Sequence, residues 1–278
     1  MAVYVLLQLG WWGFLIIRDD TSGDRTLMVL GEGLVFAAIL VFAFIRLNSS
    51  LNREIKLIRK EKNFMLAVSH ELKTPIAAIK LSLDTLKRGD LDVGKHSSLL
   101  HHSSNEIRRL QSLTDNILLA SQLDQFESAN SNQKIELSNV LIEECKRFEL
   151  YSDRKIITDI EDGILILADV DMVRALISNL IDNALKYSPK ESRVCVNLKV
   201  VSNHCKLMVS DEGVGIPDAE KDRIFERFYR SADEITRSTM GTGIGLYIVK
   251  SICKLYQFKI QVEDNSPKGS IFIVQFTI

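Results

Sequence analysis

ISNLIDNALKYS, running from Ile177 to Ser188, lies in a helical pattern over Val170–Tyr187 whose polar face carries an uncommon set of side chains. Asn179, Asn183 and Lys186 fall on one side of that helix, at spacings of four and three. An amide oxygen can serve a hard cation without adding charge, and a lysine supplies a point charge for phosphate. A helix face that only meets solvent has no need of this set ahead of two glycine motifs. Those motifs are DEGVGI (Asp211–Ile216) and GTGIGL (Gly241–Leu246).

Working outward, the runs KIITDI, GILILAD, RVCVNLKVV, CKLMVS, FKIQVED and SIFIVQFTI are apolar and β-branched, and read as strands. Helical patterns at Asn139–Tyr151, Val170–Tyr187 and Gly245–Tyr256 alternate with them. Residues 131–278 therefore predict one α/β domain. Asp211 ends an apolar strand, where its carboxylate can accept the exocyclic amine of adenine, a donor that guanine lacks at that position. Gly213 and Gly215 let the backbone pass close to a base and turn sharply. Gly241, Thr242 and Gly243 precede the apolar run IGLYIVKSICKLY, and Gly245 stands at its start. A loop entering a helix N-terminus in this way offers free amides and a positive dipole end to phosphate. The pattern Gly-x-x-x-x-Gly-Lys-Ser/Thr is absent from the sequence, which excludes a P-loop enzyme, and the His-Arg-Asp and Asp-Phe-Gly signatures are absent too.

Upstream, residues 48–126 are long, charged and helical in period. Met65, Val68, Leu72, Ile76, Ile79, Leu83 and Leu86 form one apolar seam, and Leu100, Ile107, Leu110, Leu113, Ile117 and Ala120 form another. KRGDLDVGKH (Lys87–His96) connects them. Two such hairpins side by side make a four-helix bundle, so a homodimer is expected. His70 lies between Val68 and Leu72 and points away from both, toward solvent. Glu71 is its neighbour, and Pro75 removes a backbone donor five residues on, which predicts a bend. A solvent-facing imidazole next to a carboxylate suits a nucleophile.

At the start, residues 1–17 carry no charge, and residues 27–47 are interrupted only by Glu32 and Arg46. Spanning a membrane takes about 20 apolar residues, so the pair predicts a transmembrane helical hairpin over residues 1–47. Arg46, Arg53, Lys56, Arg59, Lys60 and Lys62 crowd the exit of the second stretch and place that end in the cytoplasm. The expectation is a multi-pass protein of the inner membrane, with too little chain outside for a ligand-binding domain. Glu32 reads as a carboxylate at headgroup level. Lys and Arg number 35 against 36 Asp and Glu, and that balance argues against a nucleic-acid binder. The four cysteines form no Cys-x-x-Cys pair, which excludes a zinc ribbon and a thioredoxin-type site and reads as free thiols in a reducing compartment.

SHELKTP (Ser69–Pro75) resembles the H-box of the sensor histidine kinases of two-component systems. ISNLIDNALKYS (Ile177–Ser188) resembles their N-box, DEGVGI the G1 box, FERFYR (Phe225–Arg230) the F-box and GTGIGL the G2 box, all in that family's order. The resemblance implies a GHKL-type α/β sandwich that binds ATP and Mg²⁺. In it Asn183 holds the metal, Lys186 and Tyr187 contact the nucleotide, Asp211 reads adenine, and Asn179 stands where hydrolytic relatives carry a water-activating glutamate. It further implies that His70 takes the γ-phosphate, with Glu71 as candidate base, and that the phosphate passes to an aspartate of a response regulator receiver domain. Thr74 matches the position that aligns water for removing the regulator's phosphate. A non-catalytic ATP-binding scaffold and an enzyme whose main output is dephosphorylation remain open at this point. About 15 residues lie between Arg46 and Glu61, too few for a HAMP relay, and with no external sensor expected the input is membrane-embedded or comes from a membrane sensory partner.

Overall fold

The computed structural model describes residues 23–89, 92–123, 133–152, 154–201, 204–230 and 241–277, with Gly10, Trp11 and Phe14. The chain divides into two compact units, Met1–Arg59 and Lys60–Ile278.

Helix α1 runs from Gly23 to Lys87 without a break. No glycine or proline lies between Leu34 and Thr74, so nothing in the covalent chain stops it where the apolar segment gives way to the charged one. Its first part is long and apolar enough to cross a membrane, and Leu34, Phe42, Phe44 and Leu47 stand exposed along it. The first apolar stretch expected from the sequence lies almost wholly outside the described residues, as does the side chain of Glu32. Within the second unit, α1 continues through Pro75 to Lys87 and is followed by α2 (Val93–Leu123). The connection is shorter than the expected Lys87–His96. Arg88 and Gly89 close the end of α1 by donating to Thr85 O and Leu86 O, Gly89 turns at φ +76, and Gly94 already belongs to α2.

The rest of the second unit is an α/β sandwich. Strands β2 (Ile156–Ile160), β4 (Val194–Val201), β5 (His204–Ser210), β6 (Lys259–Asp264) and β7 (Ser270–Thr277) form a sheet in the order β2-β4-β5-β7-β6. β2 pairs with β4 in parallel and every other pair is antiparallel. A separate ribbon joins β1 (Gln133–Glu136) to β3 (Leu165–Ala168). Helices α3 (Leu137–Ser152), α4 (Val170–Tyr187) and α5 (Gly245–Leu255) complete the sandwich. Val173, Leu176, Ile177, Leu180, Ile181 and Ala184 of α4 are all buried, the three- and four-residue spacing of a single apolar stripe. They share one core with Ile248, Val249 and Ile252 of α5 and Phe272, Val274 and Phe276 of β7. Ala120 and Leu123, at the end of α2, belong to that core as well. Between α3 and α4, buried Glu144 accepts from Arg147, Arg174 and Ser178. The four cysteines are free, and burial pushes the thiols of Cys145, Cys205 and Cys253 up to about 12, which makes them inert packing groups.

Candidate nucleotide and phosphoacceptor site

Helix α4 is fixed at both ends. The Asp169 side chain accepts from Asp171 N at 2.9 Å and Met172 N at 3.2 Å, an N-cap. Ser188 leaves the helix at ψ 141 because Pro189 follows and disfavours helical backbone before it. Between these caps the polar face holds Asn179, Asn183 and Lys186. Asn183, Lys186 and Tyr187 are half-buried, with the Lys186 ammonium 5.2 Å from the centre of the Tyr187 ring. Asn179 is 8% exposed and fully engaged. Its Nδ2 donates to Ala175 O at 2.8 Å and to Asn116 Oδ1 at 3.1 Å, while Asn116 Nδ2 donates back to Asn179 Oδ1 at 3.3 Å. A Cβ on Gly245 would lie 2.7 Å from that same Oδ1, so only glycine opens α5 there.

Asp211 stands at the end of β5, 3% exposed. Burial pushes its carboxyl up, against the pull of two backbone donors, Gly213 N at 2.7 Å and Ser270 N at 3.3 Å. A Cβ at Gly213 would meet both Asp211 Oδ1 and Tyr187 O at 2.7 Å, which brings the G1 turn and the end of α4 into contact. Gly215 turns at φ +78. Gly241 and Thr242 are half-buried, and Gly243 (φ +68) accepts from Phe228 N at 3.0 Å, so the F-box and the G2 loop are joined. Phe228 itself is held at φ 64, and its ring stacks on Phe64 of α1 at 4.1 Å.

His70 is exposed, as the helical phase required, with Val68 and Leu72 half-buried behind it. Glu71 is not the free carboxylate the sequence pictured beside the imidazole. It is 8% exposed, turned into the hairpin, with Oε2 accepting from Arg109 at 3.2 Å and Oε1 buried without a partner. Thr74 is exposed, and its hydroxyl donates to the carbonyl of His70 at 3.2 Å.

These residues fit Mg-ATP. A carboxylate kept in the core beside a glycine turn that no side chain could occupy has the chemistry to accept a base's exocyclic amine. Among the described residues no cluster of three His, Cys, Asp or Glu could hold a metal, and an amide such as Asn183 with the nucleotide's own phosphates is the donor set that Mg²⁺ accepts. Sequence reasoning missed Asn116, Gly269 and Asn265. Gly269, at φ +121, places its missing Cβ 1.9 Å from Asp211 O, which also accepts from Asn265 Nδ2 at 2.8 Å. No local spacing announces residues that meet Asp211 from 54 or more positions away.

Comparison with known proteins agrees with this geometry. Residues 60–126 match the family described as His Kinase A (phospho-acceptor) domain. Residues 168–278 match the family described as histidine kinase-, DNA gyrase B-, and HSP90-like ATPase. A hairpin bearing an exposed histidine, followed by this ATP-binding sandwich, is the domain pair of the two-component sensor histidine kinases, and the chain carries both domains. It is 30% identical to the sensor histidine kinase RppB of Synechocystis over 96% of its own length and 62% of that protein's. It is 29% identical to the sensor protein CiaH of Streptococcus pneumoniae over 80% of its length and 50% of CiaH. The chain thus spans about half to three-fifths of these curated relatives. In fold it resembles full-length ShkA, solved with AMPPNP, at a TM-score of 0.52 and 19% identity, over 77% of this chain and 45% of that one.

Proposed function

We propose that the protein is a membrane sensor kinase that phosphorylates His70 from ATP and hands the phosphate to an aspartate of a response regulator receiver domain. The observation that carries this reading is the pairing of an exposed imidazole with a nucleotide-type cradle, at Asp211 and Gly213, in one compact unit. Asp211 accepts from the adenine amine, Tyr187 and Lys186 flank the base and phosphates, and the G2 loop with the N-terminus of α5 receives the phosphate oxygens. Asn183 would hold Mg²⁺, which supplies charge neutralisation at the phosphates. The unprotonated nitrogen of His70 forms a bond to the γ-phosphorus while the bond to the β–γ bridging oxygen breaks and ADP leaves. The proton on the other ring nitrogen goes to a base. Glu71 fills that role once it parts from Arg109, so the Arg109 pair describes a resting carboxylate. Asn179 is an amide where a hydrolase needs a base, and its hydrogen bonds are already spent, so water is left unactivated.

Two hairpins associate through the apolar seams that one chain leaves exposed, and the apolar first part of α1 anchors the protein, with residues 1–17 as a second crossing and the kinase unit in the cytoplasm. A second reading has support from Thr74. Its exposed hydroxyl lies one helical turn after His70, able to align water against the regulator's phosphoaspartate. Incubation with γ-labelled ATP tests the first reading: wild type takes up label and His70→Gln takes up none. Unchanged labelling of His70→Gln removes the assignment. For the second, Thr74→Ala keeps autophosphorylation and loses most regulator dephosphorylation.

A further inference from the structure

Arg154, in the loop between α3 and β2, matches no motif, yet its guanidinium gathers a dense set of backbone oxygens. It donates to Leu185 O at 2.6 Å, Pro189 O at 2.9 Å and Ser192 O at 3.1 Å, with Ser192 Oγ at 3.4 Å. Its own backbone N–H is pinned at 3.3 Å by Ser152 Oγ, which in turn donates to Phe148 O. The oxygens are not arbitrary. A helix carbonyl normally accepts from the N–H four residues on, and for Leu185 that residue is Pro189, which has none. Ala184 O still receives Ser188 N at 3.2 Å, so Leu185 O is the first carbonyl of the last turn to be orphaned. A cation at the negative end of the helix dipole satisfies it, and the planar fork lets one side chain tie down the following turn as well.

The residues immediately after Leu185 are Lys186 and Tyr187, and the Tyr187 carbonyl is one of the two atoms that crowd Gly213. We infer that Arg154 is a positioning residue for nucleotide binding: it sets where α4 ends, and so holds Lys186 and Tyr187 in register with the Gly213 turn and Asp211. This rests on the reading of that cradle as the nucleotide site. It assigns Arg154 no contact with ATP. Its removal lets the last turn of α4 fray and the base side of the cradle open, while the chemistry at His70, on another element, is untouched once ATP is bound.

The test measures ATP binding with a fluorescent ATP analogue, and autophosphorylation as KM and kcat, on the full chain. Arg154→Ala weakens nucleotide binding and raises KM about tenfold, the scale of a lost charge-assisted hydrogen bond, with kcat within about twofold of wild type. Arg154→Lys keeps the charge but not the fork, and recovers less than half of the loss. Guanidinium ion added at low millimolar concentration restores binding to Arg154→Ala and does nothing for Asp211→Asn. If Arg154→Ala does not fold, Arg154→Lys decides: a loss of binding of twofold or more supports the role, and a smaller one overturns it. A KM unmoved in Arg154→Ala, with only thermal stability reduced, also overturns it. Wild-type nucleotide binding by Asp211→Asn strikes instead at the cradle as the nucleotide site.

Discussion

The two halves of the Lys60–Ile278 unit bury their apolar residues in opposite ways. In the sandwich, Leu176, Ile177, Leu180 and Ile181 of α4 are fully buried, as are Phe272 and Phe276 of β7. In the hairpin, Met65, Ile76 and Leu83 of α1 and Leu100 and Ile107 of α2 remain between 47% and 55% exposed. The nucleotide domain finishes its core from its own chain, and the hairpin does not. The division suits a signalling kinase. Under the proposed function, the part that grips ATP keeps a fixed geometry, and the part that carries the phosphoacceptor would draw further stability from association with a second copy.

The largest expected effects fall on the finished core. Gly269→Ala would drive a Cβ into the Asp211 carbonyl, so the nucleotide domain should lose its cooperative thermal transition in calorimetry. Phe272→Ala leaves a cavity at the centre of the sheet and should cost about 3–5 kcal/mol in denaturant unfolding. The unfinished seam should behave differently. Leu83→Asp touches no filled core, so the catalytic domain's unfolding should stay within about 0.5 kcal/mol of wild type while sedimentation shows the dimer dissociating. A dimer unmoved by that charge would place the interface elsewhere and erase the contrast between the halves.

Asp211 sharpens the comparison from inside the finished half. Its carboxyl is raised by burial, so the folded state holds the proton more tightly than the unfolded chain, and stability falls as pH rises through that raised value. The charged form, however, is the one that accepts from an amine. ATP affinity should therefore decline on acidification at a pH above the ordinary carboxylate range, followed by titration with a fluorescent analogue. Asp211→Asn should melt higher than wild type at neutral pH and bind ATP at least tenfold more weakly, a site that sacrifices stability for recognition. The smallest effect belongs to the bridge between the halves. Asn116→Ala removes both amide bonds to Asn179 and should cost about 1 kcal/mol, detected as faster hydrogen exchange at the end of α2.

Legibility in the sequence follows the same line. The limits of α4 were readable because Asp169 and the Ser188–Pro189 step are local signals. The exposure of His70 followed from helical phase against Val68 and Leu72. β1 carries no strand signal in the sequence because Ile135 is its one apolar residue and its partner strand lies some 30 positions on. The connection is shorter than Lys87–His96 because Gly94, which reads as a turn residue, is tolerated in the first turn of a helix. Burial of Glu71 depends on Arg109, 38 residues away, and the Asn116–Asn179 bridge spans 63. Such contacts are set by packing, and no spacing in the chain encodes them.

The most direct test incubates the full chain, held in lipid nanodiscs, with γ-labelled ATP and then maps the label by its stability to alkali and acid and by peptide mass. Label confined to an acid-labile, alkali-stable bond on His70 is the expected result. Label on another residue, or none at all from a protein that demonstrably binds ATP, would contradict it.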